Sequence, residues 1–240
     1  MKRLDNYLVE KNLATSRTKA QEYIKSSLVK VDGKVIKKPS FKVEDDSSVE
    51  VGEHDNYVSR SAHKLNEFLN ELDLDLTQHI ALDIGSSTGG FTQVLLQRGV
   101  AEVSSVDVGS NQLHHTLRED TRVLSYENTD IRKFKTDKKF DIIVSDVAFI
   151  SLHYILDDVD RLASDKIILL FKPQFEVGRG IKRDKNGVVL DKKAIKNAMI
   201  KFEDACELKG WELIQKSPSK LSGKDGNLEY CYYFKTMAGK

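Results

Sequence analysis

Lys172 follows an unbroken apolar run, Ile167-Ile168-Leu169-Leu170-Phe171, and Asp146 closes a second run that starts at Phe140. A five-residue apolar block reads as a strand buried on both faces, so the residue at its carboxyl end emerges at the rim of the sheet. In open parallel α/β sheets that rim is where ligands bind. A lysine and an aspartate at the mouths of two buried strands suggest a site that handles protons.

The elements around them alternate. A helix is expected from Ser59 or Ser61, with Leu65, Phe68, Leu69 and Leu72 on one face, and Ile80-Ala81-Leu82-Asp83-Ile84 is a buried strand. A helix through Phe91, Val94, Leu95 and Leu96, a strand Val103–Asp107, and strands at Val123-Leu124, at 140–146 and at 167–171 follow. Strands alternating with helices predict an α/β, Rossmann-like fold with a mostly parallel doubly wound sheet. A glycine-rich loop after the first strand lets backbone approach a ligand, and an acid some twenty residues on can hold a ribose. Gly85–Gly90 and Asp107 supply both, and a nicotinamide-binding enzyme would share this outline.

The loop itself, Asp83-Ile84-Gly85-Ser86-Ser87-Thr88-Gly89-Gly90-Phe91, lacks the G-x-G-x-x-G spacing of dinucleotide sites. It resembles the first motif of S-adenosyl-L-methionine-dependent methyltransferases. That resemblance implies cofactor contacts from Asp83, Gly85, Ser86, Ser87, Thr88, Gly89, Gly90 and Phe91, ribose binding by Asp107 with Val108 and Gln112 nearby, and adenine beside Asp130 and Ile131. A ribose hydroxyl gives up its proton reluctantly, so methylating it needs a base and local positive charge. A lysine whose pKa is lowered by burial and a second cation can take that proton, and an aspartate can orient it. Lys64, Asp146, Lys172 and Glu229, in this order, resemble the catalytic tetrad of the FtsJ-like ribose 2′-O-methyltransferases. Taken alone, Lys64 reads sooner as an ordinary helix-surface lysine, and Glu229 also reads as a capping or salt-bridging acid at a strand end.

Residues 1–42 hold 11 Lys or Arg against 4 acids, a net +7, while residues 43–240 hold 27 against 33, a net −6. Clustered positive charge on a small module is the footprint of phosphate-backbone binding, with a solvated face as the alternative. Leu4, Tyr7, Leu8 and Lys11 fall at helical spacing, Thr15 or Ser16 caps a second helix, and Val29–Val31 and Lys34–Ile36 flank an Asp32-Gly33 turn. With Arg3-Leu4-Asp5, Ser16-Arg17 and Ala20, this order resembles the S4-type RNA-binding domain, a small α+β unit. The resemblance implies RNA contacts from Arg3, Arg17, Lys19, Lys25, Lys30 and Lys34. The domains are placed at 1–52 and 60–240, with a linker at 53–59.

Segments 59–65, 145–151 and 171–176 tighten the match to the TlyA (haemolysin A) family, which joins an S4-type to an FtsJ-like domain. Ser61 and Ser86 stand where that family usually has a smaller residue. Membership implies methylation of cytidine 2′-hydroxyls in ribosomal RNA, with rRNA or a ribosomal subunit as partner. Compact chain ends lead to the expectation of a large-subunit target. Arg60 and, in the basic glycine-rich segment 175–187, Arg179, Lys182 and Arg183 are further expected RNA contacts, a plain flexible loop being the alternative for that segment. Tyr57 and Phe149 are candidates for stacking on a base.

The competing classes are a non-catalytic RNA-binding assembly factor and a membrane-lytic protein. The second has no apolar stretch of the ~18 residues a membrane span needs. No signal peptide is read, so a cytoplasmic location is expected, and a monomer is assumed with the oligomeric state left open. Cys206 and Cys231 are expected as free thiols, and the six histidines show no ligand spacing, so no metal is expected.

Overall fold

The computed structural model describes residues 1–52, 57–223 and 225–237, in two compact units, 1–56 and 57–240. The first four residues of the expected linker lie outside the described residues.

In the smaller unit β1 (Lys2–Arg3) leads into α1 (Leu4–Glu10) and α2 (Arg17–Lys25), followed by β2 (Val29–Val31), β3 (Lys34–Val35), β4 (Lys42–Val43) and β5 (Val49–Val51). Ser16 caps α2, its Oγ accepting from the Lys19 amide at 3.2 Å. β2 pairs antiparallel with both β3 and β5. The β2–β3 turn places Asp32 and Gly33 at φ 50° and 75°, the left-handed pair a two-residue hairpin requires. Leu4, Leu8, Ala20, Ile24 and Val29, none with exposed surface, form its core.

The larger unit runs α3 (Ser61–Asn70), β6 (Ile80–Ile84), α4 (Gly90–Gln97), β7 (Glu102–Val106), α5 (His115–Arg118), β8 (Val123–Tyr126) and β9 (Phe140–Ser145). It continues through α6 (Leu156–Leu162), β10 (Ala163–Phe171), α7 (Pro173–Glu176), α8 (Lys192–Leu208), β11 (Trp211–Pro218) and β12 (Tyr230–Thr236). Among the described residues these strands form a seven-stranded sheet in the order β11-β12-β10-β9-β6-β7-β8. β8, β7, β6, β9 and β10 are parallel, and β12 runs antiparallel to both its neighbours.

The apolar runs read as doubly buried strands are that. Ile167, Leu169 and Phe171 face a core with Phe202 of α8 and Trp211, while Ile168 and Leu170 face the core under α3 and α4. Burying each such side chain contributes about 1.5–3 kcal/mol, which fixes the register and with it which strand-end residue reaches the rim. The strand order reverses between β6 and β9, and this switch point is where a doubly wound sheet opens a crevice. Gly85 and Asp146 follow those two strands directly. No helix among the described residues is long and apolar enough to cross a membrane, and no group of three or more metal-ligating side chains occurs among them.

Candidate active site

Two clefts meet above the switch point. The first, of about 470 Å³, is lined by Ser59, Arg60, Ser61 and Lys64 at the start of α3, by Gly85–Thr88 and Phe91, by Asp146, Ala148 and Lys172, and by Ser222. The second, of about 390 Å³, is lined by Asp107, Val108, Gln112, Asp130–Arg132 and Val147–Ile150 among others. They share Gly85, Ser87, Asp146 and Ala148.

Lys172 and Asp146 form an ion pair. Lys172 Nζ lies 2.6 Å from Asp146 Oδ1 and donates a hydrogen bond to the Asp146 carbonyl oxygen at 3.2 Å. Burial pushes the Asp146 carboxyl upward, with the nearby Lys172 and Lys64 ammonium groups pulling it back and Glu229 pushing with the burial. Lys64, on the inner face of α3, donates to Glu229 Oε2 at 2.5 Å. Glu229 itself is 2% exposed and stands behind Lys64 rather than on the cleft wall. Its second oxygen, Oε1, accepts from Gln174 Nε2 at 3.0 Å. Lys64, Asp146 and Lys172 therefore share one cleft, with Glu229 holding one of them from the rear.

The glycine loop is shaped by contact as well as by φ. Gly85 sits at φ 79°, and a Cβ there would meet Val147 at 3.1 Å. Gly89, at φ 94°, lies against Leu113 and Leu117, and a Cβ on Gly90 would meet Ser59 Oγ at 2.1 Å, so α3 closes onto the start of α4. Asp107 Oδ2 accepts from the Ser87 amide at 2.8 Å and Oδ1 from the Gly109 amide at 2.7 Å. Ser87 Oγ donates to Gln112 Oε1 at 3.1 Å. Asp130 lies in the second cleft with both oxygens held by the Arg132 guanidinium, which keeps its carboxyl below the usual range.

Three of the expected cofactor residues, Asp83, Gly89 and Gly90, line neither cleft, and Asp83 is the one among them that carries a charge-bearing side chain. It has no exposed surface. Its Oδ2 accepts from Thr92 Oγ1 at 2.7 Å, Thr92 is 2.7 Å from Ser105 Oγ, and Oδ1 is buried without a hydrogen bond. Burial drives the Asp83 carboxyl up to about 7, with Thr92 opposing and the charges of Asp146 and Asp107 adding to the rise. It stands beneath the loop, as do Gly89 and Gly90, which are buried.

Several residues that build the site were not singled out from the sequence. Glu127 accepts from the backbone amides of Asn111, Gln112 and Leu113, which hold its carboxyl below the usual range and shape the segment bearing Gln112. Glu176 accepts from Ser151 Oγ at 2.5 Å and the Leu152 amide at 2.8 Å, fastening the segment after Asp146 to α7. Gln174 and Arg132 complete the set. Glu127, Glu176 and Gln174 act through partners distant in sequence, where an isolated Gln or Glu carries no spacing signal, whereas Arg132 acts on Asp130 two residues before it.

The expected RNA contacts divide into free and engaged. In the smaller unit Asp5, with no exposed surface, accepts from Arg3 Nη2 at 2.9 Å, Arg17 Nε at 3.0 Å and Gln21 Nε2 at 2.9 Å. The Arg3 guanidinium foremost, with Gln21 and Arg17, holds the Asp5 carboxyl far below the usual carboxylate range against the effect of burial. Two arginines are thereby aligned by one buried acid. Lys19 pairs with Glu22, whereas Lys25, Lys30 and Lys34 are exposed. In the larger unit Arg60 donates to the Ser222 carbonyl at 3.3 Å, and Arg179 and Lys182 are exposed. Arg183 is spent internally, donating to the carbonyls of Gln174, Gly178, Arg179 and Ile181. Phe149 is 92% exposed at the rim of the second cleft, at φ 65°, with its ring 5.4 Å from Phe175. Tyr57 instead packs edge-on against His63.

Comparison with known proteins gives the same picture in two parts. The FtsJ-like methyltransferase family matches residues 57–236 and the S4 domain residues 2–49. The 23S rRNA (cytidine-2′-O)-methyltransferase TlyA of Campylobacter jejuni is 44% identical over 95% of this chain and 98% of its own. The 16S/23S rRNA (cytidine-2′-O)-methyltransferase TlyA of Mycobacterium tuberculosis is 37% identical over 99% and 91%. A solved structure from Streptococcus thermophilus that bears the name hemolysin superposes with a TM-score of 0.74 at 32% identity, covering 99% of this chain and 89% of that one.

Proposed function

Because the chain belongs to the TlyA family of FtsJ-like methyltransferases, we propose that it transfers a methyl group from S-adenosylmethionine to the 2′-hydroxyl of a cytidine in large-subunit ribosomal RNA. The observation that carries this reading is the pair of ion pairs, Lys172–Asp146 and Lys64–Glu229, at one cleft that opens into a second, acid-lined cleft. The Campylobacter relative's 23S substrate supports the large subunit.

The residues present fit the cofactor. Asp107 and Gln112 offer acceptors for ribose hydroxyls, Asp130 and Val108 line the same cleft and would flank the adenine, and Gly85, where a side chain would strike Val147, leaves bare backbone between the clefts. When bound, S-adenosylmethionine supplies a methyl group made electrophilic by its sulfonium.

The chain's own residues do the rest. Lys172 is the base that takes the 2′-hydroxyl proton, and Asp146, 2.6 Å from its Nζ, orients it. Lys64, fixed by Glu229, places a cation where negative charge grows on the oxygen, a contribution that preorganised sites make without reorganisation. The S4 unit supplies RNA affinity through the Asp5-aligned Arg3 and Arg17 and the exposed lysines, in salt-dependent phosphate contacts. Phe149 offers a face for base stacking.

The test is methyl transfer from tritiated S-adenosylmethionine to rRNA by wild type and Lys172→Ala, with S-adenosylhomocysteine binding measured on both. The variant is expected to bind the product normally and to transfer nothing. Near-normal turnover removes Lys172 as the base. Mapping 2′-O-methyl positions in rRNA from cells with and without the gene tests the cytidine and the subunit.

A further inference from the structure

Glu229 has its two oxygens engaged on opposite sides, Oε2 by Lys64 at 2.5 Å and Oε1 by Gln174 at 3.0 Å. A carboxylate tied at one oxygen rotates freely about its last torsion, which is broad and roughly two-fold. Tied at both, its plane is fixed, and so is the ammonium group bonded to it. The acceptor also settles the Gln174 amide, because only Nε2 can face a carboxylate. Gln174 Oε1 is then left buried without a partner.

Gln174 is held in turn. Its carbonyl accepts from Arg183 Nη2 at 3.1 Å, and the same guanidinium binds the Gly178 carbonyl at 2.9 Å and the Ile181 carbonyl at 2.8 Å. Arg183 bridges to Val189 across a turn whose Asp184 accepts from the Asn186 and Val188 amides. The far side of this strap is bound to Asn227, two residues before Glu229: Asn227 Oδ1 accepts from the Val189 amide at 3.0 Å, and Nδ2 donates to the Gly187 carbonyl at 3.3 Å. The segment 178–190 is thus fastened to Glu229's hydrogen-bond partner and to Glu229's own connection.

We propose that Gln174 is a positioning residue for the Lys64–Glu229 pair, and that the strap 178–190, clasped by Arg183, is what holds Gln174 in place. This rests on the reading of Glu229 and Lys64 as part of the methyl-transfer site. One short stretch, Lys172-Pro173-Gln174, then serves both lysines, supplying one and steadying the other.

The test is a double-mutant cycle on the full chain, with Gln174→Met, Glu229→Gln and the two combined, reading kcat and KM for rRNA and the dissociation constant of S-adenosylhomocysteine. Gln174→Met is expected to lower kcat by about tenfold or more at unchanged product binding, since small misplacements cost that much. The combined variant is expected to be no slower than Glu229→Gln, because both act on one ammonium group. An unchanged kcat in Gln174→Met, or losses that multiply, overturns the proposal. Wild-type turnover in Glu229→Gln would instead remove Glu229 from the site, and the proposal with it.

Gln174→Glu guards against a misfolded Met variant. It sets two carboxylates face to face, so its activity relative to wild type is expected to rise as pH falls and one of them takes a proton to restore the hydrogen bond. A ratio independent of pH overturns the proposal. Arg183→Met is expected to lower kcat in the same direction, and an unchanged kcat overturns the role of the strap.

Discussion

Gly223 leaves no room for a side chain beside Glu229: a Cβ on it would lie 2.5 Å from Glu229 Oε1 and 3.2 Å from the carboxyl carbon. The backbone at Gly223 therefore covers the acid that anchors Lys64. Gly223→Ala is expected to displace the carboxylate and lower kcat by roughly tenfold with cofactor affinity intact. Steady-state kinetics beside a calorimetric titration of S-adenosylhomocysteine reads both quantities. A wild-type kcat would mean that Glu229 yields at no cost to Lys64.

Asp83 makes stability depend on pH in an unusual direction. Its folded-state pKa is raised from 3.8 to about 7, so between these values the folded chain binds a proton that the unfolded chain has released. Stability from this group therefore falls as pH rises from about 4 to 7, and the loss is complete above 7. Asp83→Asn is expected to abolish that slope, on the order of 4 kcal/mol across the window at 1.36 kcal/mol per pKa unit. Denaturant unfolding of both proteins at several pH values between 4 and 8 measures it.

The smaller unit has the opposite dependence. Asp5 carries a folded pKa well below 3.8, so the stability it contributes is present above pH 4 and is lost as pH falls through the folded value. Asp5→Asn is expected to lower the melting temperature of the amino-terminal unit at neutral pH, with the gap to wild type closing in acid. Hydrogen exchange of residues 4–31 across that range follows this unit separately from the larger one.

Phe149 stands at φ 65°, where a bulky residue bears about 1–3 kcal/mol of strain, with nearly all its side chain in solvent. Phe149→Gly relieves the strain while loosening the unfolded chain. The expected result is a melting temperature within a few degrees of wild type and a marked rise in KM for rRNA or fall in kcat. Unchanged kinetics would make Phe149 a bystander.

Much of this site was legible because its residues sit where local pattern changes. Lys172 ends an apolar run, Asp146 ends another, and Gly85 follows a buried strand, so register alone brings them to the rim. Glu229 was found through family resemblance, and its reach to the site depends on β12 lying next to β10, a pairing that no local window contains. Gln174 gives no local signal because its bond to Glu229 spans 55 residues and crosses that same pairing. The engagement of Arg183 is hidden from the sequence for a related reason. A cation in a basic glycine-rich segment reads as surface charge, and only the folded turn reveals that backbone carbonyls consume its guanidinium. Asp83 was placed correctly on its strand, yet the side of the sheet on which its carboxylate is sealed follows from Thr92 and Ser105.

The reversed direction of β12 has a consequence for synthesis. Because it runs against the parallel strands, its amino end arrives at their carboxyl rim, and that is why Glu229 can meet Lys64 across 165 residues of chain. During translation the S4 unit emerges first, and every parallel strand of the larger sheet up to β10 emerges before Glu229 does. A nascent chain halted in β11 would carry the lysine pair and the glycine loop without the anion that disciplines Lys64. Completion of the Lys64–Glu229 pair is thereby deferred until β12 closes onto β10.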